Sequence, residues 1–309
     1  MADQKGRIRM RLNKTDIVEN RDEWLKKGYQ LPAFDRERMV AKSKAQPAWI
    51  HFGAGNIFRA FQANDLQNIL NSGAYDRGVI AAGGRDSSII DKMYRLHDDL
   101  SLLVTLKAGG SVDKTVVGSV MEALTADSSN EGDWKRLCEI FRSPSLQMVT
   151  FTITEKGYLL KNAAGIPMPG VEDDFAAGPV QPKSYIGKVV TLLHERYVNG
   201  GLPVAMVSMD NCSHNGDKVR AGVMAYAQRW VDDGLVPSAF LDYLQDESCI
   251  TFPWSMIDKI TPRPHEKVKE LLANDGFEDN NYIETERHTF TAPFVNAEEV
   301  QYLVIEDHY

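Results

Sequence analysis

Cysteine is scarce: Cys138, Cys212 and Cys249 are the only three in 309 residues, widely spaced and with no CxxC pair. This argues against a disulfide scaffold and implies free thiols in a reducing compartment. Long apolar runs are missing as well, none approaching the roughly 18 residues of a membrane span. The opening residues, MADQKGRIRMRLNKTD, lack the apolar core of a signal peptide, so the cytoplasm is the expected location. Positive charge is in deficit, 35 Lys and Arg against 43 Asp and Glu, for a net charge of -8. Nucleic acid and anionic membranes are held by clustered basic side chains, so neither is expected as a partner. No grouped His/Cys spacing suggests a metal site, and no GxSxG or Cys–His neighbourhood suggests a nucleophile. Repeats and low-complexity segments are absent too.

What remains is an ordinary soluble balance, 43% hydrophobic and 25% charged, long enough for one large or two ordinary domains. Residues 1–47 are polar, with scattered anchors such as Trp24, Leu25, Tyr29 and Leu31, and read as a surface-wrapping extension with one or two short helices. From residue 48 onward, apolar strand-like runs alternate with amphipathic helical stretches. Runs 48–52 (AWIHF), 78–82 (GVIAA), 100–106, 115–124, 148–154 (MVTFTIT) and 204–209 (VAMVSM) read as strands. Residues 56–72, 84–96, 131–142, 184–197, 215–231 and 237–246 read as helices. Such alternation predicts an α/β fold of Rossmann-like, doubly wound type, a mostly parallel sheet with helices on both faces, over residues 48–309.

Gly53-Ala54-Gly55 stands where the first strand hands over to a helix. The first glycine permits a tight turn, and the second lets backbone approach a pyrophosphate with no Cβ in the way. The helix starting near Asn56 aims free N–H groups at the phosphates. The candidate cofactor-binding residues are therefore Phe52, Gly53, Ala54, Gly55, Asn56, Ile57, Phe58 and Arg59, with Arg59 placed for a charge-assisted contact to the pyrophosphate. Phe58 occupies the position of the third fingerprint glycine, which serves helix–strand packing rather than the phosphate cradle. At the end of the second strand come Arg85 and Asp86. An acid there accepts from both ribose hydroxyls and selects NAD, whereas an Arg favours a 2′-phosphate. Asp86 lies 33 residues after Gly53, beyond the usual interval of roughly 20. It has two readings, ribose ligand or helix N-cap, and the cofactor choice leans to NAD.

Ligands of open α/β sheets bind beyond the carboxyl ends of the strands. Two polar clusters sit at such ends, Thr154-Glu155-Lys156-Gly157-Tyr158 and Asp210-Asn211-Cys212-Ser213-His214-Asn215-Gly216. Helix capping explains either cluster alone. Asn211 is the most suggestive member, because an amide NH₂ donates to a carbonyl oxygen that becomes an alkoxide during hydride transfer. His214 has the pKa of a proton shuttle but reads more simply as a surface histidine.

Taken together, these segments resemble the long-chain mannitol dehydrogenase family, which includes fructuronate and tagaturonate reductases. The matching stretches are IHFGAGNIFRAFQ (50–62), TITEKGY (152–158), SMDNCSHNG (208–216), ITFPWSMIDKITP (250–262) and VQYLVIEDHY (300–309). The fourth carries the family signature, with Ile257 for the usual Val and Lys259 for the usual Arg. The resemblance implies metal-independent, NAD-linked oxidation of a sugar alcohol or aldonate at a secondary hydroxyl, and the reverse reduction. The mannonate/fructuronate pair is favoured, with mannitol/fructose next. By the same resemblance Asn211 is the oxyanion-holding asparagine, Asp258 a polar partner near the nicotinamide, and Lys156 a neighbour of cofactor or substrate. The family's general base is a lysine in a K-x4-N-x2-H arrangement on a following helical domain. That spacing is absent from these 309 residues, so the chain alone is expected to bind dinucleotide but barely turn over. Its expected partners are a small polyol or sugar acid and that helical domain. Two rivals remain: a sugar-phosphate dehydrogenase of mannitol-1-phosphate type, and a dinucleotide-binding module that never catalyses.

Overall fold

The computed structural model describes residues 9–84, 86, 88–285 and 290–307. Six strands form one sheet, numbered here in chain order: β1 (Trp49–Phe52), β2 (Val79–Gly83), β3 (Val120–Thr125), β4 (Met148–Phe151), β5 (Val204–Ser208) and β6 (Ile250–Thr251). Their spatial order is β3-β2-β1-β4-β5-β6, and every neighbour is parallel. This is the order of the doubly wound dinucleotide fold, and it reverses direction between β1 and β4.

A parallel sheet needs cover on both faces, and the period-two alternation of side chains provides for it. Ile50, Phe52, Ile80, Ala82, Val149 and Phe151 share one core with the helices Glu131–Arg142, Tyr185–Val198 and Asn215–Asp232. On the opposite face Val79 and Ala81 meet Leu66 and Leu70 of the helix Gln62–Asn71. Farther along that face, Ala205 and Val207 pack with Phe61 and Ile257.

A second sheet stands beside the first. Ser101–Leu106 runs antiparallel to Val112–Val117 and parallel to Phe294–Glu298, while Tyr29–Gln30 closes the other edge. The N-terminal extension holds three helices, Lys14–Glu19, Arg21–Lys26 and Arg36–Ala45, rather than one or two. Nor is it peripheral: Met10, Leu12 and Trp24 are wholly buried in one core with Leu102, Val104, Phe277 and Phe294. A ribbon of Ser255–Lys259 paired antiparallel with Gln301–Ile305 completes the fold.

Several expected elements differ in detail. Residues 115–124 form two strands in different sheets, broken at Gly118 and Ser119. There Gln67 of the adjoining helix accepts from the Gly118 amide and donates to the Val116 carbonyl, taking backbone bonds a continuous strand would need, while the Ser119 hydroxyl anchors to the Ala63 carbonyl. The strand at 148–154 stops at Phe151, because the Asp210 carboxylate takes the amides of Ile153 and Thr154, each at 2.9 Å. The stretch 84–96 ends in a π-helical turn, Ile90–Tyr94, and a 3-10 turn, Arg95–His97. Between β4 and the helix Tyr185–Val198 lies a further helix, Val171–Ala177, that the sequence reading does not include. Ile69, on the helix Gln62–Asn71, is 47% exposed. Among the described residues no helix is long and apolar enough to cross a membrane.

Candidate functional site

The turn after β1 lies where the strand order reverses. Gly53 has φ +138°, and a Cβ there would fall 2.6 Å from the Thr152 carbonyl oxygen. The neighbouring strand end therefore demands glycine. Gly55 is different: its backbone is extended, at φ −84°, and a Cβ would meet nothing within 4 Å. No contact among the described residues requires that glycine, and the space above it is open, as a pyrophosphate cradle needs. Between them, the Ala54 carbonyl accepts from the buried Tyr94 hydroxyl at 3.1 Å.

The following helix is short, Asn56–Ala60, and kinks at Phe61 (φ −119°, ψ −82°) before resuming as Gln62–Asn71. One turn and a half generates little macrodipole, less than the continuous helix expected from residue 56 onward would supply. Phe58 is fully buried, its ring stacked on His51. Phe52 is also fully buried and packs against Phe141 and Phe151. Only the backbone of these two faces the turn. Ile57 packs partly buried beside Phe61.

Arg59 departs from expectation. Its side chain is wholly buried, and its guanidinium donates to the Ala292 carbonyl, Asn56 Oδ1 and Thr291 Oγ1, not toward the open side of the loop. The direct pyrophosphate contact expected of it is replaced by a staple between the loop and the segment leading into Phe294–Glu298.

Asp86 follows the end of β2, half-buried, and its carboxylate accepts from the hydroxyls of Ser88 and Thr285. Arg85 lies outside the described residues.

The two polar clusters meet through a residue not singled out from sequence. Asp210, half-buried at the end of β5, accepts from the amides of Ile153 and Thr154 and from the Tyr158 hydroxyl at 2.5 Å. Burial pushes the Asp210 carboxyl above its ordinary range, and these three donors oppose the shift. Burial and the adjacent Asp210 push the Tyr158 phenol far up, so it stays protonated and donates. Asn215 builds the same loop. It is buried, and its amide donates to the carbonyls of Asp210 and Ser255 while its Oδ1 accepts from the amides of Gly216 and Ser255. A buried polar group fully satisfied in this way specifies a loop conformation.

Lys156, Asn211 and Asp258 are exposed, and among the described residues none bonds to another. Asn211 follows Asp210 at the rim of the crevice. Asp258 lies on the ribbon, opposite Tyr302. Glu155 pairs with Lys218 at 2.6 Å, leaving Lys156 out of that bridge. His214, in left-handed conformation, packs edge-on against Trp254 at 4.5 Å, as a surface residue does. An apolar hollow of about 340 Å³ bounded by Trp49, Leu66, Tyr75 and Met148 sits at the amino ends of β1 and β4, opposite the polar clusters.

The profile of the family described as mannitol dehydrogenase Rossmann domain matches residues 47–307. A D-mannonate oxidoreductase of Thermotoga maritima is 47% identical over 298 residues, covering 96% of this chain and 54% of that protein. A polyol:NADP oxidoreductase of Gluconobacter oxydans is 28% identical over 76% of this chain and 47% of its own. Among solved structures, a D-sorbitol dehydrogenase in substrate-free form superposes with a TM-score of 0.73 at 27% identity, covering 91% of this chain and 53% of its own. A Pseudomonas fluorescens mannitol 2-dehydrogenase, solved as a ternary complex with NAD and D-mannitol, gives 0.74 at 24% identity over 96% and 55%. The chain spans about half the length of the relatives it matches.

Proposed function

Because the chain belongs to the mannitol dehydrogenase family and spans its Rossmann domain, we propose that it is the NAD-binding part of an oxidoreductase acting on sugar alcohols or sugar acids. It interconverts an aldonate or polyol with the corresponding 2-ketouronate or 2-ketose, mannonate/fructuronate first and mannitol/fructose next. The name borne by the Thermotoga relative supports that order. One observation carries the reading: the Gly53–Gly55 turn lies at the reversal point of a β3-β2-β1-β4-β5-β6 sheet, with the space beside Gly55 open.

In this reading residues 48–309 form the dinucleotide-binding module and residues 1–47 the extension. Backbone amides from Ala54 to Asn56 hold the pyrophosphate, the Gly53 amide being donated to the Ala82 carbonyl. Asp86, at the end of β2, accepts from the adenosine ribose hydroxyls and so favours NAD. Bound NAD supplies the hydride acceptor. The exposed Asn211 amide donates to the substrate oxygen as that oxygen gains charge, with Asp258 and Lys156 as polar neighbours of nicotinamide and substrate. Oxidation also needs a base to take the hydroxyl proton. We assign that base to a further helical domain and expect these 309 residues alone to bind dinucleotide with little turnover.

Calorimetry with NADH and NADPH tests the first half: binding of NADH, tighter than NADPH, is expected, and no heat with either cofactor sinks the reading. Comparing fructuronate with fructose in a two-domain enzyme carrying this segment tests the second. Equal kcat/KM for the two would remove the stated preference.

A further inference from the structure

Among the described residues two arginines are buried whole, Arg59 and Arg196. Burial lowers the pKa of each, and no carboxylate among the described residues offsets that effect. Arg196 is answered by carbonyls. It donates to those of Phe141, Ser143, Leu146, Leu202 and Pro203, two of them at the C-terminal end of the helix Glu131–Arg142. A helix C-terminus favours a cation.

Arg59 differs on each count. Its three close oxygen acceptors are Ala292 O at 2.8 Å, Asn56 Oδ1 at 2.7 Å and Thr291 Oγ1 at 2.8 Å, and its Nε has no acceptor. It sits in the last turn of the five-residue helix Asn56–Ala60, a segment too short to build the terminal field that steadies Arg196. Its one favourable ionisable neighbour is Tyr94, a phenol whose hydroxyl is already spent on the Ala54 carbonyl. A desolvated guanidinium without a counter-charge is strongly unfavourable, so this end of the loop holds a positive charge that no carboxylate among the described residues neutralises.

We propose that Arg59 is the positioning residue of the pyrophosphate subsite, acting through Asn56; the inference rests on the dinucleotide reading above. Arg59 and the Thr291 hydroxyl, the latter at 3.3 Å, both donate to Asn56 Oδ1. Two donors on one atom fix which end of the carboxamide is oxygen. The Asn56 NH₂ is left for the open side of the loop beside Gly55. The buried charge polarises that amide and makes the loop locally positive in a protein of net charge -8. A diphosphate is thus received by a donor held in place by a cation it does not touch.

Calorimetry of the protein with NADH, ADP-ribose and adenosine separates this role from a structural one. Arg59→Met is expected to weaken NADH and ADP-ribose by roughly 10- to 100-fold and to leave adenosine, which has no phosphate, unchanged. Arg59→Lys should restore part of the loss. Unaltered affinities, or an equal loss for adenosine, overturn the proposal. Asn56→Asp is the second arm, should removal of a buried arginine unfold the chain. Its carboxylate pairs with Arg59, raising Tm, yet turns an oxygen toward the phosphates, so NADH and ADP-ribose binding is lost while adenosine binding stays. NADH binding of wild-type strength in Asn56→Asp overturns the idea. Wild-type protein that takes neither NADH nor ADP-ribose overturns the dinucleotide reading itself, whereas normal wild-type binding with unaltered variants overturns this inference alone.

Discussion

His51 and Phe58 lie face to face, ring centroids 4.2 Å apart and planes 7° from parallel. Phe58 fills the place of the third fingerprint glycine, whose usual task is close packing of helix on strand. Here a flat aromatic pair achieves that packing. It is possible because His51, rather than an aliphatic residue, occupies β1, held between Thr150 Oγ1 at 2.6 Å and Thr152 Oγ1 at 2.8 Å.

Acid sensitivity follows. Burial pushes the His51 pKa down to about 3, against about 6.5 for an unfolded histidine. Below that value the unfolded chain binds a proton that the native state refuses. The His51 contribution is therefore complete above about 6.5 and declines as pH falls toward 3, by about 1.4 kcal/mol per unit. His51→Gln should flatten the dependence of Tm on pH over that window. An unchanged slope would assign the acid limb to other groups.

The two loop glycines should fail differently. Gly53→Ala forces a side chain into φ +138° and against the Thr152 carbonyl, costing roughly 1–3 kcal/mol from backbone strain alone. Gly55→Val, with nothing within 4 Å of its Cβ, should keep the wild-type Tm while abolishing NADH fluorescence enhancement. Normal NADH binding by Gly55→Val would move the pyrophosphate elsewhere.

Asn211 and Asn215 form a second contrasting pair. Asn215→Ala strips a buried amide from several partners and should cost about 2–4 kcal/mol in a urea melt. Asn211→Ala, at an exposed site, should change stability by less than about 0.5 kcal/mol. In a two-domain enzyme it should lower kcat by roughly 100-fold. Unimpaired turnover would leave Asn211 as a rim residue only.

Asp210→Ala removes the acceptor shared by Ile153, Thr154 and Tyr158. Each stranded donor costs about 1–3 kcal/mol where water cannot reach it, so the variant should melt well below Tyr158→Phe, which loses the phenol's bonds to Asp210 and Ser208 but strands no backbone amide. Equal melting points would show that the amides find other acceptors.

The strands and the glycine turn could be read from sequence because their signals are local: apolar runs with punctuation, and a GxG between a strand and a helix. The family-matching stretches marked Asn211, Asp258 and Lys156 without showing that they stand apart. What stayed hidden depends on contacts between distant residues. Asp210 reaches Tyr158 across 52 positions, and Arg59 reaches Thr291 across 232. No periodicity announces either pairing. Arg59, whose spacing suits a phosphate ligand, turned inward because oxygen acceptors waited on a segment far along the chain. The break at Gly118 had the same origin, a helix side chain competing for strand hydrogen bonds.

The pairing of Ser255–Lys259 with Gln301–Ile305, and the hold of Ser255 on Asn215, bear on how the protein emerges from the ribosome. The nucleotide loop joins residues near position 56 to residues near 291, and the loop after β5 leans on the ribbon. A nascent chain therefore carries the nucleotide loop until the segment bearing Thr291, 232 positions after Arg59, has been made. Long sequence separation slows such closure, and translation speed through the codons of the ribbon Ser255–Lys259 and Gln301–Ile305 becomes a determinant of yield.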